Sequence, residues 1–159
     1  PLAGPLLAAL GARVVPEPPG DGGLNAALAH GARAVRARSP RAPVATLGAD
    51  LPALRPRELG RVLDSAGEFP RAFLADAAGI GTTLLSAAPG IELAPAFEGA
   101  SRARHRASGA HEIGLTGVDS VRRDVDTEAD LRDALALGVG PRTAAVADAA
   151  RIPAGPAGA

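Results

Sequence analysis

Apolar positions along the chain follow two rhythms, one helical and one extended, that alternate from the start. Leu2, Leu6, Leu7 and Leu10 share one helical face, and Gly11 sits where a helix would end. Arg13-Val14-Val15-Pro16 then has the length and composition of a short strand. Residues 17–23, Glu-Pro-Pro-Gly-Asp-Gly-Gly, can only be a loop, and the helical spacing resumes over Leu24–Val35. Pro40 and Pro43 bound the apolar run from Val44, which reads as a central strand covered on both faces. It stops at Gly48-Ala49-Asp50, and Pro52 forbids further pairing. A helix opens near Pro56, with Leu59, Val62 and Leu63 inward, and Ala72–Ala75 is the next strand. After Gly79-Ile80-Gly81 a short strand resumes at Thr82-Thr83-Leu84-Leu85. Ser101 is placed to cap a helix that carries Arg102, Arg104 and Arg106. Val121–Asp126 reads as extended, and Thr127 with Asp130 forms a capping pair for a helix over Leu131–Leu137 that Gly138 ends. This order predicts one α/β domain over residues 1–152, followed by a disordered tail at 153–159.

Composition narrows the chemistry. The 159 residues include no Cys, so disulfides, thiolate catalysis and Cys-based zinc sites are excluded together. A formal net charge of +0 gives no reason to expect nucleic acid or an anionic membrane as partner, and no apolar run is long enough to span a bilayer. No secretory signal is visible, which points to the cytoplasm. All 17 basic residues are Arg, so any phosphate-binding cation this chain supplies must be a guanidinium. The chain opens Pro1-Leu2-Ala3-Gly4 without Met and runs directly into a helix, as a domain lacking its front end would.

Five places carry candidate chemistry. Asp50 stands where a strand ends and a helix is about to begin, the end of an open sheet at which ligands gather. Gly23-Leu24-Asn25 opens a helix with free backbone N–H groups suited to a phosphate or a base edge, although a plain surface loop has the same composition. Gly79–Thr83 offers backbone and hydroxyl donors at a turn, or is simply a hairpin-like turn into a β-branched strand. The three Arg from 102 to 106 cannot share one helical face, so at least one should point inward or over the site, unless the helix face is merely solvated. Along an extended chain Asp124 and Asp126 project together, and capping explains Thr127 but not Asp124. Paired carboxylates of this kind favour a divalent ion with hard oxygen ligands, Mg²⁺ or Mn²⁺. His105 and His111 lack metal spacing and are expected to be structural or to lie beside a substrate.

Taken in order, Gly23–Leu28, Gly48–Leu54, Ala75-Asp76 with Gly79–Leu85, Ser101–His105 and Arg123–Thr127 resemble the guanylyltransferases of coenzyme F420 biosynthesis. That family acts on 2-phospho-L-lactate or phosphoenolpyruvate, and the match runs from residue 1 to about 143. The resemblance implies a nucleotide-diphospho-sugar-transferase-like, Rossmann-like α/β fold. Its three-layer sandwich would hold a mixed, mostly parallel sheet, here lacking the first strand. It implies Mg-dependent transfer of GMP from GTP to the acceptor phosphate with release of pyrophosphate. It places the metal on Asp50, Asp124 and Asp126, the acceptor near Thr82, Thr83 and Ser101, and the nucleotide beside Gly23, Leu24 and Asn25. It is compatible with a homodimer. The composition of a GC-rich genome tilts the acceptor toward phosphoenolpyruvate, by association.

The chain departs from the family pattern twice. A first strand and a loop with a Pro-x-Lys-like motif would precede Pro1. The family also has Gly after the Phe that corresponds to Phe97, where this chain has Glu98; a shifted turn would hand that role to Gly99. Two other readings stand beside the enzyme: a non-catalytic nucleotide- or phosphometabolite-binding module, and a nucleotidyltransferase for another base or acceptor.

Overall fold

The computed structural model describes residues 3–17, 20 and 22–155. Helix α1 (Ala3–Ala9) ends as its sequence predicts. Gly11 adopts φ +85°, Ala12 N–H donates to Leu7 O at 2.9 Å and Gly11 N–H to Ala8 O at 3.0 Å, the paired bonds of a Schellman cap. The strand expected at 13–16 does not form. That segment is irregular, Val14 is 54% exposed, and among the described residues it has no strand to pair with.

After α2 (Gly23–Arg38), four strands make one open mixed sheet: β1 (Val44–Leu47), β2 (Arg71–Ala75), β3 (Thr82–Ala87) and β4 (His111–Glu112), in the order β1-β3-β2-β4. The expected mostly parallel pairing is corrected here. The β2–β3 connection is a tight hairpin, so β3 inserts in reverse between β1 and β2, and only the β2–β4 ladder is parallel. Three of the four strands nonetheless point the same way.

Helices cover both faces. On one, α3 (Pro56–Ala66) and the single turn α5 (Asp119–Arg122) close over Leu74 and Leu84 through Val62, Ala66, Val118 and Val121. On the other, α2 and α4 (Ser101–Ala107) close over Phe73 and Leu85, with Ala32 and Phe97 at the margin. Together these two clusters take most of the largest fully buried side chains, so burial and not propensity holds the layers together. Two further helices, α6 (Glu128–Leu137) and α7 (Pro141–Ala149), complete the chain. The Thr127–Asp130 capping box predicted for α6 is present in both halves, and Gly138 ends the helix at φ +92°. Of the expected tail, residues through 155 are described, and Gly155 N–H donates to Arg132 O at 2.8 Å; residues 156–159 lie outside the described set. Among the described residues no helix is long and apolar enough to cross a membrane.

Candidate functional site

The site lies where β1 and β2 end, and main-chain hydrogen bonds assemble it. Gly48 N–H extends the β1–β3 ladder by one bond to Thr83 O (2.9 Å), which fixes where the chain leaves the sheet toward Asp50. From the far side, the segment after α5 is tied twice. Ala77 N–H donates to Arg122 O (2.9 Å), and Val125 N–H donates to Asp50 O (3.1 Å). The second bond lays residues 124–126 directly against residue 50, across 75 positions of sequence. The Arg122 guanidinium secures this from below by donating to Ala75 O at 2.8 Å and to Ile113 O and Leu115 O at 3.2 and 3.3 Å. Desolvation lowers its pKa, with Glu112 and Asp119 pulling the other way. Arg123 instead pairs with Asp130 and Asp133 at the start of α6.

Residues 123–127 are not the extended strand the alternation suggested. Glu58 accepts from Ser120 N–H (2.9 Å) and from the Ser120 hydroxyl (2.8 Å), which starts the α5 turn, and the chain then runs irregularly to the Thr127 cap. Even so, the carboxylates lie close enough to act on one another. Half-buried Asp124 has its carboxyl held above the usual carboxylate range, first by burial and then by the negative charges of Asp76, Asp126 and Asp50. Such repulsion is what a bound cation would relieve, and an all-carboxylate donor set suits a hard divalent ion. Among the described residues, no three such side chains already converge on one point. The fit is therefore one of charge and donor chemistry.

Beside the carboxylates stands a group of hydroxyls. Thr82 pairs with Ala75 and Leu84 with Leu74, so Thr83 is the extra residue of a β-bulge. Counting back from Leu85 by alternation puts Thr83 on the α4 side of the sheet, and Thr82 reaches the same side to meet His105. The bulge thus puts two neighbouring threonines on one side of the sheet. Thr83 Oγ1 is buried and has no hydrogen-bond partner among the described residues. Ser101 does not cap α4: Ala100 occupies the cap position, and Ser101 is the buried first residue of the helix. Arg102 N–H donates to Ile80 O (3.0 Å), which seats α4 against the turn before Thr82. None of the three Arg of α4 points into the carboxylate group. Arg102 reaches Gly79 O and Glu112, Arg106 also reaches Glu112, and Arg104 closes on the carbonyls of Ala96, Phe97 and Glu98.

The loop over residues 96–100 forms the remaining wall. Glu98 has φ +78° and Gly99 φ +45°. Position 98 is thus one whose backbone favours glycine, as the family pattern has it, and Glu98 holds it at a strain on the order of 1 kcal/mol. Asn25 fastens the loop to α2: its Oδ1 accepts from Phe97 N–H (2.7 Å) and its Nδ2 donates to Phe97 O (3.3 Å). Both halves of that amide are therefore engaged, while Gly23 and Leu24 before it are exposed.

Asp76, which the sequence reading did not assign to the site, turns out to shape it. Its carboxylate accepts from Ile80 N–H (2.9 Å) and Gly81 N–H (2.7 Å), closing the turn before the two threonines. The signal was present in Asp76-Ala-Ala-Gly, since an Asp heading a Gly-rich turn commonly folds back on its own backbone.

Comparison with known proteins completes the description. No family model matches the chain. It is 74% identical over 145 residues to the phosphoenolpyruvate guanylyltransferase of Streptomyces coelicolor, covering 91% of this chain and 68% of that protein. It is 70% identical over 158 residues to the enzyme of the same name from Streptomyces avermitilis, covering 99% and 72%. Its identity to the Thermomonospora curvata protein of that name is 62% over 154 residues.

Proposed function

Because this chain belongs to the phosphoenolpyruvate guanylyltransferase family, a family of nucleotidyltransferases, we propose that it transfers GMP from GTP to the phosphate of phosphoenolpyruvate in coenzyme F420 biosynthesis. The observation that carries this reading is the Val125–Asp50 main-chain bond, which brings Asp50, Asp124 and Asp126 into one negatively charged group at the sheet end. We further infer that these three residues hold Mg²⁺, with Mn²⁺ as a substitute, in a nucleotide-diphospho-sugar-transferase-like arrangement of the sheet.

In this reading an oxygen of the acceptor phosphate attacks the α-phosphorus of GTP. A new P–O bond forms, the α–β bridge breaks, and pyrophosphate leaves with its electron pair. A divalent ion bound here would neutralise the charge of both anions as they approach. The chain's own residues do the positioning, which is most of what phosphoryl-type transfer demands. Thr82, Thr83 and Ser101 line the acceptor side, with the left-handed turn at Glu98-Gly99 against it. The Gly23-Leu24-Asn25 start of α2 serves the nucleotide side, where Asn25 acts by holding the 97 loop in place. No side-chain nucleophile is needed, and the reaction belongs to the cytoplasm.

Incubation with GTP, Mg²⁺ and phosphoenolpyruvate should release pyrophosphate in step with consumption of the acceptor. 2-phospho-L-lactate and a panel of other nucleotides should be poorer substrates. Binding of both substrates with no pyrophosphate would leave a binding module and overturn the enzyme reading.

The geometry also predicts a variant that damages the site without touching the core. A Cβ at Gly48 would lie 2.7 Å from Asp50 Oδ1 and so must push that carboxylate aside. Gly48→Ala should lower kcat/KM by roughly 10²-fold, since a misplacement near 1 Å costs about that much. The thermal midpoint should stay close to that of the parent, because the displaced atom is the exposed end of a side chain. A large fall in midpoint with unchanged activity would show that Gly48 serves the fold and not Asp50.

A further inference from the structure

His105 is fully buried in α4, beneath Phe97 (ring centroids 5.0 Å, near-perpendicular) and beside Phe73 (5.7 Å). Its two ring nitrogens have separate partners: Ala96 N–H donates to Nε2 at 3.0 Å, and Nδ1 lies 3.0 Å from Thr82 Oγ1. A backbone amide can only donate, so Nε2 must carry a lone pair, and the single proton of the neutral ring sits on Nδ1. Burial, then the charges of Arg71 and Arg104, hold the ring neutral down to a pKa of about 4. Nδ1–H therefore donates to Thr82 Oγ1. With its oxygen used as an acceptor, the Thr82 hydroxyl keeps its own hydrogen to give away, and it has no other partner among the described residues. Beside it on the bulge, Thr83 Oγ1 is buried without a partner among the described residues. A free Thr82 donor beside a second hydroxyl that lacks a partner suits an oxyanion.

We propose that His105 is a positioning residue of the acceptor site, whose Nδ1–H fixes the Thr82 hydroxyl as a donor to an oxyanion of the acceptor. The proposal rests on the reading of Thr82 as an acceptor contact. It assigns His105 no part in proton transfer. The ring acts through Thr82, and the packing of Phe73 and Phe97 keeps it from turning over and reversing the donor.

The test has a spectroscopic and a kinetic arm. Two-bond ¹⁵N–¹H couplings of the imidazoles should show one of the three histidines locked as the Nδ1–H tautomer at pH 7, and its signals should vanish in His105→Gln. A fixed Nε2–H tautomer would overturn the proposal. In kinetics, Thr82→Val should raise KM for phosphoenolpyruvate about 10-fold and leave KM for GTP unchanged, the loss expected for one charge-assisted bond. His105→Gln can still accept from Ala96 but has no donor for Thr82, and should reproduce that rise. His105→Asn, which returns an N–H near the Nδ1 position, should recover part of it. In the double variant Thr82→Val/His105→Gln the two effects should not add. An active parent whose acceptor KM is indifferent to Thr82→Val overturns the Thr82 contact and the role of His105 with it; a rise with Thr82→Val that His105→Gln does not reproduce overturns the role of His105 alone. A parent that neither binds phosphoenolpyruvate in calorimetry nor turns it over overturns the acceptor reading itself.

Discussion

Asp124→Asn is expected to lower guanylyl transfer by ~10³-fold or more while leaving the protein as stable as the parent, or more so. The two effects have one cause. Asp124 sits half-buried with its carboxyl held above the usual range, by burial and by Asp76, Asp126 and Asp50. At pH 7 its charge is a cost to the folded state, and the isosteric amide removes that cost. In the working enzyme the same charge would help hold a divalent ion between two polyanionic substrates, where an amide is a far weaker ligand. Losing one preorganised electrostatic contact of this kind typically costs 10²–10³ in rate, and a metal ligand costs at least as much. Melting curves and steady-state rates on the same preparation decide it. A large fall in thermal midpoint would mean that the carboxylate is structural. Normal turnover would remove Asp124 from the proposed metal site.

Acidification should destabilise the protein well before its carboxylates protonate, and His105 should be the cause. Its pKa is about 4 in the fold against 6.5 when exposed, chiefly through desolvation and then through Arg71 on β2 and Arg104 on α4. Between those values the unfolded chain binds a proton that the folded chain refuses, so stability rises with pH across that window. The contribution is fully present above about pH 6.5, falls progressively below it and is exhausted near pH 4; the difference corresponds to about 3 kcal/mol. Glu58, Glu112 and Asp130 all have lowered values, so their contributions are lost only at lower pH, while Asp124 works in the opposite sense. Urea unfolding at pH 7 and pH 5 should therefore show a drop in the parent of about 2 kcal/mol, from 1.4 kcal/mol for each unit of the interval crossed. In His105→Asn, which carries no titratable ring, most of that drop should vanish. Equal drops in the two proteins would clear His105.

What could be read from the sequence was local. The run from Val44 declared itself a strand because prolines bound it, but among the described residues it is an edge strand with only Val44 buried, not the covered central strand expected; the Thr127–Asp130 box and the Gly11 and Gly138 stops are short-range signals. The carboxylate group was found for a partly mistaken reason. Val121–Asp126 alternates like a strand, but Glu58, 62 residues earlier, captures Ser120 N–H and starts a helical turn instead. Asp124 still reaches Asp50, through a main-chain bond that no side-chain pattern encodes. The Asn25–Phe97 clip spans 72 residues, and there the residue type alone suggested another role; the His105–Thr82 contact spans 23 and agrees with the structural part expected of His105. Arg13–Pro16 is the opposite case: a β-like composition that, among the described residues, finds no neighbour to pair with.

The Val125–Asp50 bond has a consequence for how such a site can vary among relatives. It uses only backbone atoms, so the bond itself asks nothing of the side chain at position 125 beyond an N–H on the main chain. Proline is the single natural residue that would break the bond, having no N–H to give. The placing of the carboxylates is thus inherited through chain path, and substitution between these acidic residues is filtered at one letter of the alphabet.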